Sequence, residues 1–142
     1  MKITLLQQDI VWANPEENQE AAYQAIKNAP KSDVYVLPEM WSTGFATEPE
    51  GIAEEDRNSL NWMKQMAHRM DAAIAGSIAT EEDGKFYNRF YFVTPDGECV
   101  SYDKHHLFTY SGEHHRYTAG ERKVIVEWKG IRFRMIVCYD LR

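Results

Sequence analysis

A chain of 142 residues that is 44% hydrophobic and 27% charged has the size and make-up of one globular domain, which sets aside intrinsic disorder. A formal net charge of −6, with no run of Lys or Arg, argues against a surface that tracks nucleic acid. No apolar stretch approaches a membrane span, and two cysteines, Cys99 and Cys138, do not make a disulfide framework.

The opening residues, Met1 to Leu6, run straight into Gln7, Gln8 and Asp9, too short an apolar stretch for a secretory signal. A reducing cytoplasm is therefore the expected setting, where an unpaired thiol stays available for chemistry. Lys2 to Gln7 is expected as a short buried strand. Asn14 then offers a helix N-cap, with Pro15 at the first helical position and Glu17 three residues after the cap. Ala22, Ala25, Ile26 and Ala29 fall on one helical stripe, and Pro30 ends it. Val34 to Leu37 is the next strand, so strand–helix–strand predicts a parallel unit with a right-handed crossover.

An acidic loop from Glu48 to Asp56 precedes a second amphipathic helix marked by Leu60, Met63, Ala67 and Met70. Ala72 to Ile78 follows as a small-residue strand suited to burial on both faces. Phe86 to Val93 and Cys99 to Tyr102 flank the turn Thr94-Pro-Asp-Gly97, and Val124 to Trp128 and Ile131 to Val137 flank Lys129-Gly130. Both spacings predict antiparallel hairpins. Between them, Lys104 to Gly120 lacks periodicity, and such loops in compact domains are often functional. The pattern as a whole predicts a single α/β domain with a mixed sheet. Its last strand ends at Cys138 with no covering helix after it, an unfavourable place for a domain to finish.

Three groups at predicted strand ends carry chemistry. Cys138 closes an apolar strand just before the polar Tyr139-Asp-Leu-Arg142. Taken alone, a free cysteine is more often a small buried hydrophobe. At a strand-to-helix turn, however, a nucleophile is exposed and the following backbone N–H, here that of Tyr139, points at an oxyanion. Cys99, inside a hairpin strand, is the expected structural thiol. Glu39 follows Pro38 at a strand end, the edge where open α/β sheets bind ligands. Its neighbours Leu37, Met40, Trp41 and Phe45 make an apolar setting in which a carboxylate serves as a proton carrier. Lys104 ends another strand and opens the irregular loop. Singly, Glu39 and Lys104 read as solvated surface charges; the coincidence of three such groups makes an active site competitive. The pairs His105-His106 and His114-His115 do not make a metal site, since adjacent residues on an extended strand point to opposite faces. The aromatic set Tyr87, Tyr91, Phe92, Tyr102, Phe108 and Tyr110 reads as packing rather than a base-stacking platform.

Leu37-Pro-Glu-Met-Trp41, Tyr102-Asp-Lys-His-His-Leu-Phe108 and Val137-Cys-Tyr-Asp-Leu-Arg142 resemble, in order, the three signature segments of the nitrilase (carbon–nitrogen hydrolase) superfamily. Ser111-Gly-Glu113 with Tyr117 and Gly120 resembles its loop bearing a second glutamate, and Pro38 to Phe45 with Asn88-Arg89 is similar to the omega-amidase branch. The resemblance implies an αββα sandwich and a Glu–Lys–Cys triad of Glu39, Lys104 and Cys138. Glu113 would support the lysine or the substrate, and the Tyr139 N–H would hold the oxyanion. It further implies hydrolysis of small dicarboxylate monoamides such as 2-oxoglutaramate, no cofactor or metal, and dimers or larger homo-oligomers. Members of the superfamily continue beyond the nucleophile. Residues 1–142 are accordingly expected to be the N-terminal portion of one domain, with apolar sheet surface left exposed. A nitrilase or N-carbamoyl hydrolase of the same chemistry, a non-catalytic half-domain, and a redox-sensing thiol protein are the competing expectations.

Overall fold

The computed structural model describes residues 1–142 and contains two α-helices and seven strands. Strands β1 (Ile3–Leu5), β2 (Val34–Val36), β3 (Ala73–Glu82), β4 (Lys85–Val93) and β5 (Cys99–Asp103) form one sheet in that order. The first three run parallel and the last two antiparallel, so the sheet is mixed as expected. Helices α1 (Pro15–Asn28) and α2 (Asn58–Met70) make the two parallel crossovers. A separate hairpin joins β6 (Ile125–Trp128) to β7 (Ile131–Arg134).

Local chemistry accounts for the helices. The Asn14 side chain accepts from the Glu17 amide at 3.2 Å while its own amide donates to the Glu17 carboxylate at 3.0 Å, closing both ends of the α1 cap. Ala22 and Ile26 are wholly buried beneath it. No side chain of the preceding residue caps α2. Instead the buried Glu54 reaches in from the acidic loop, accepting from the Ser59 amide at 2.8 Å and from the Ser59 hydroxyl. That carboxylate also faces the positive end of the helix dipole.

The sheet separates two apolar clusters. On one face Tyr35, Leu37, Trp41, Ile74, Ile78, Tyr91 and Val93 pack against Ala22 and Ile26 of α1 and Leu60, Met63 and Met66 of α2. On the other, Val34, Ala73, Ala75, Phe92 and Tyr102 meet Val126 of the hairpin together with Met135 and Val137. The layers therefore run helices, mixed sheet, hairpin, which is part of an αββα sandwich. No helix is long and apolar enough to cross a membrane.

Four details depart from the expectation. Strand β1 is the outer member of the sheet, and Ile3 and Leu5 stay 46% and 77% exposed, so it is not a buried strand. Strand β7 stops at Arg134, and the chain reaches Cys138 as an unpaired extended segment held by the Met135 amide on the Val124 carbonyl at 3.0 Å. Cys99 is exposed at the start of β5 rather than packed. Finally, β3 runs on to Glu82 and forms with β4 a third hairpin that was not expected, turned by Asp83 and Gly84 with φ of 52° and 70°. That left-handed pair is what a two-residue turn between twisted strands requires.

Candidate active site

The segment after β2 lies unusually close to β3. A Cβ on Gly76 would sit 2.9 Å from the Leu37 Cβ and 3.1 Å from the Trp41 ring, so only glycine allows the approach. Three hydrogen bonds fasten it: Leu37 N–H to the Ala75 carbonyl at 2.7 Å, Met40 N–H to Ser77 Oγ at 2.9 Å, and Trp41 N–H to the Ser77 carbonyl at 3.2 Å. Met40 takes a left-handed φ of 45°, and the turn it makes aims Glu39 across the end of the sheet.

Lys104 lies just past β5, where its N–H bonds the Asn88 carbonyl of β4 at 3.0 Å. The loop it opens returns to it: the Gly120 N–H donates to the Lys104 carbonyl at 2.9 Å. A Cβ at Gly120 would meet the Asp103 carbonyl oxygen at 2.1 Å, so this closure also requires glycine. Inside the loop, the single turn Glu113–His115 carries Glu113, which is wholly buried.

These elements bring Glu39, Lys104 and Glu113 into one network. The buried Lys104 ammonium donates to Glu39 Oε1 at 2.8 Å and to Glu113 Oε2 at 2.9 Å. Asn88, wholly buried in β4, bridges the same two carboxylates through one amide nitrogen, at 2.8 Å to Glu39 Oε1 and 3.1 Å to Glu113 Oε1. Phe108 N–H adds a 2.6 Å bond to Glu113 Oε2. Burial works to lower the lysine pKa, but hydrogen bonds and charge from Glu39 and Glu113 outweigh it and hold it above the ordinary value. The lysine therefore stays an ammonium. Two of its three N–H groups go to carboxylates, and the ammonium lies 5.5 Å from the centre of the Phe45 ring.

Cys138 opens the turn Cys138–Leu141 with a left-handed φ of 45° and an exposed side chain. Desolvation pushes its thiol pKa up, the nearby Glu39 charge pushes it further, and Lys104 opposes them. The resting pair is thus a thiol against a carboxylate rather than a preformed thiolate. Tyr139 follows in the same turn, with its ring 5.3 Å from that of Phe108. Cys138, Tyr139, Phe108, Tyr110 and Arg142 line a hollow of about 460 Å³ beside the network.

All four side chains expected at the site are therefore gathered at one end of the sheet. Asn88 was not among them. Its signal in the sequence is the Asn88-Arg89 pair already noted in the resemblance, which assigns it no role, and its inward aim depends on the pairing of β3, β4 and β5. The histidines serve the loop: His105 Nδ1 meets the Gly120 carbonyl at 2.6 Å, and His106 lies against Asp140.

The carbon-nitrogen hydrolase family profile matches residues 2–142. Omega-amidase YafV of Yersinia enterocolitica is 42% identical over 142 residues, covering 100% of this chain and 56% of that protein. The 2-oxoglutaramate amidase of Bacillus subtilis (strain 168) is 34% identical over 145 residues, covering 99% and 56%. Among solved structures, XC1258 from Xanthomonas campestris, a CN-hydrolase superfamily protein, superposes with a TM-score of 0.94 at 38% identity, covering 99% of this chain and 54% of that one. The chain thus spans little more than half the length of the relatives it matches. With the profile running along nearly all of its residues and the same fold in a close structural relative, the chain belongs to the carbon-nitrogen hydrolase family.

Proposed function

We propose that this chain supplies the reacting groups of a cysteine-dependent amidase, which releases ammonia from small dicarboxylate monoamides such as 2-oxoglutaramate. The observation that carries the chemistry is the Lys104 ammonium pinned between Glu39 and Glu113 with the Cys138 thiol beside Glu39. The substrate class comes from the omega-amidase and 2-oxoglutaramate amidase names of relatives 42% and 34% identical.

Because the thiol rests protonated, attack needs a base at the moment of reaction, and Glu39 is the carboxylate against it. As sulfur bonds the amide carbon, its proton passes to Glu39 and the carbonyl oxygen becomes an oxyanion. The third Lys104 N–H and the Tyr139 amide hold that charge, and removing one such donor costs roughly 100- to 1000-fold in rate. Glu39 next protonates the nitrogen, the C–N bond breaks, ammonia leaves and a thioester remains. Water then adds to the thioester, giving its proton to Glu39, and the collapse restores the thiol and frees the acid. Glu113 keeps the ammonium from swinging onto Glu39 alone.

The test uses the complete protein, with ammonia release measured over 2-oxoglutaramate, aliphatic nitriles and N-carbamoyl amino acids. Turnover of the amide is expected, with Cys138→Ala, Glu39→Gln and Lys104→Met each folded and inactive. Retained turnover in Cys138→Ala removes the mechanism. Cleaved nitriles or carbamoyl compounds with inert amides move the protein to a different member of the same chemistry.

A further inference from the structure

The nucleophile turn is held by a carboxylate that does not enter the proposed chemistry. Asp140 lies two residues past Cys138, and its side chain is 2% exposed. Its Oδ2 accepts from the Val137 amide at 2.9 Å and from the Tyr102 hydroxyl at 2.8 Å. Its Oδ1 accepts from the His106 amide at 2.7 Å and meets His106 Nδ1 at 3.2 Å. The Tyr102 hydroxyl in turn accepts from the His105 amide at 3.2 Å. One side chain therefore touches backbone one residue before Cys138 and two residues beyond Lys104. Its pKa agrees with that packing: burial would raise it, but the His106 and Val137 amides and the Tyr102 hydroxyl hold it below the usual carboxylate range.

We infer that Asp140 is a positioning residue, a clasp that fixes the Cys138 turn against the strand end bearing Lys104. The inference rests on Cys138 being the nucleophile. It also explains how a residue with a Cβ is kept at φ +45°, a conformation that surrounding structure must over-determine to persist. Released from the clasp, the turn relaxes toward negative φ and carries the thiol away from Glu39. Asparagine is no substitute. It offers one acceptor oxygen, so in either orientation its NH2 faces groups that also donate.

The experiment compares Asp140→Asn, Tyr102→Phe and Cys138→Ala in the complete protein, with folding checked by circular dichroism and by melting temperature. Well below the melting point, Asp140→Asn is expected to lower kcat/KM per folded molecule on the order of 100-fold, the scale of a displaced reacting group. Inhibition by 2-oxoglutarate, the acid product, should stay within about threefold, because binding does not use the clasp. Tyr102→Phe removes one of the four contacts and the acceptor for His105, and should cost about 2- to 10-fold in kcat/KM, the scale of one hydrogen bond. A purely structural role would instead lower the melting temperature and leave kcat/KM per folded molecule alone. A folded Asp140→Asn protein with kcat/KM within about threefold of wild type overturns the clasp. Should that variant not fold, unchanged kcat/KM in Tyr102→Phe does so. An active Cys138→Ala protein defeats the underlying chemistry, whereas an inactive one beside a fully active Asp140→Asn defeats the clasp alone.

Discussion

Replacing Asn88 by leucine removes, at nearly constant volume, the one amide nitrogen shared by Glu39 and Glu113. Hydrogen bonds to charged groups contribute about 1.5–3 kcal/mol each, so two give about 3–6 kcal/mol. Against this, Asn88 Oδ1 is buried without a partner, and deleting it returns about 1–3 kcal/mol. Taking the middle of each range, the net loss is about 2.5 kcal/mol, and at roughly 2–4 °C per kcal/mol the melting temperature should fall by about 5–10 °C. Asn88→Asp separates packing from charge. A third carboxylate among two others takes up its proton more readily in the folded than in the unfolded protein. Its folded pKa is raised, so its destabilisation is greatest at pH 8 and shrinks as the pH falls toward about 5. Thermal melts of both variants across that range make the assay. A leucine variant as stable as wild type, or an aspartate variant whose deficit does not change with pH, would refute the view of Asn88 as a shared donor.

Three further outcomes follow from the same geometry. Glu39→Gln should lower the pH midpoint for alkylation of Cys138 by iodoacetamide while stopping turnover, because a negative charge that raises the thiol pKa is gone; an unchanged midpoint would place Glu39 away from the thiol. Gly76→Ala should lower activity through displacement of the Glu39 segment, since the added methyl meets Leu37 Cβ at 2.9 Å, and a structure of the variant should show residues 37–41 moved off β3. Asp140, with its pKa depressed by folding, contributes stability that is present above its unfolded value of about 3.9 and lost as pH falls through its folded value. The melting-temperature gap between wild type and Asp140→Asn should accordingly narrow below about pH 4, and a gap that widens there contradicts the assignment.

Glu39, Lys104 and Cys138 were legible because each follows an apolar or alternating run at a point where the chain changes character. The cap at Asn14 and the turns at Gly97 and Gly130 were equally local. What escaped depends on pairing between distant segments. Lys2 to Leu6 is apolar enough for a central strand, and only the order of the sheet leaves it at the edge. Asn88 lies between Tyr87 and Arg89, and nothing within β4 says which neighbour its side chain will meet. Glu54 sits among other acids in a stretch that looks like solvated loop, yet it is buried against the start of α2, while the exposed Asp56 accepts from the Asn58 amide. The Asp83-Gly84 turn was within reach of local reading, being two residues of the type that connects hairpins. Glu113 was expected only through the resemblance, because the loop that carries it closes on the room left by Gly120, and Asp140 bonds the Tyr102 hydroxyl; neither is visible as a periodicity.

The sharing at Glu39 has a consequence for how protons move. Lys104 and Asn88 both donate to Oε1, which leaves Oε2 as the only oxygen of that carboxylate without a firm donor. In the proposed chemistry, the atom that takes the thiol proton must then also be the atom that gives it to the departing nitrogen. The carboxylate need not rotate between the two events, and a flip would require breaking two charge-assisted bonds at once. Under that proposal the base is a single fixed atom, and sulfur, nitrogen and water must each come to it in turn.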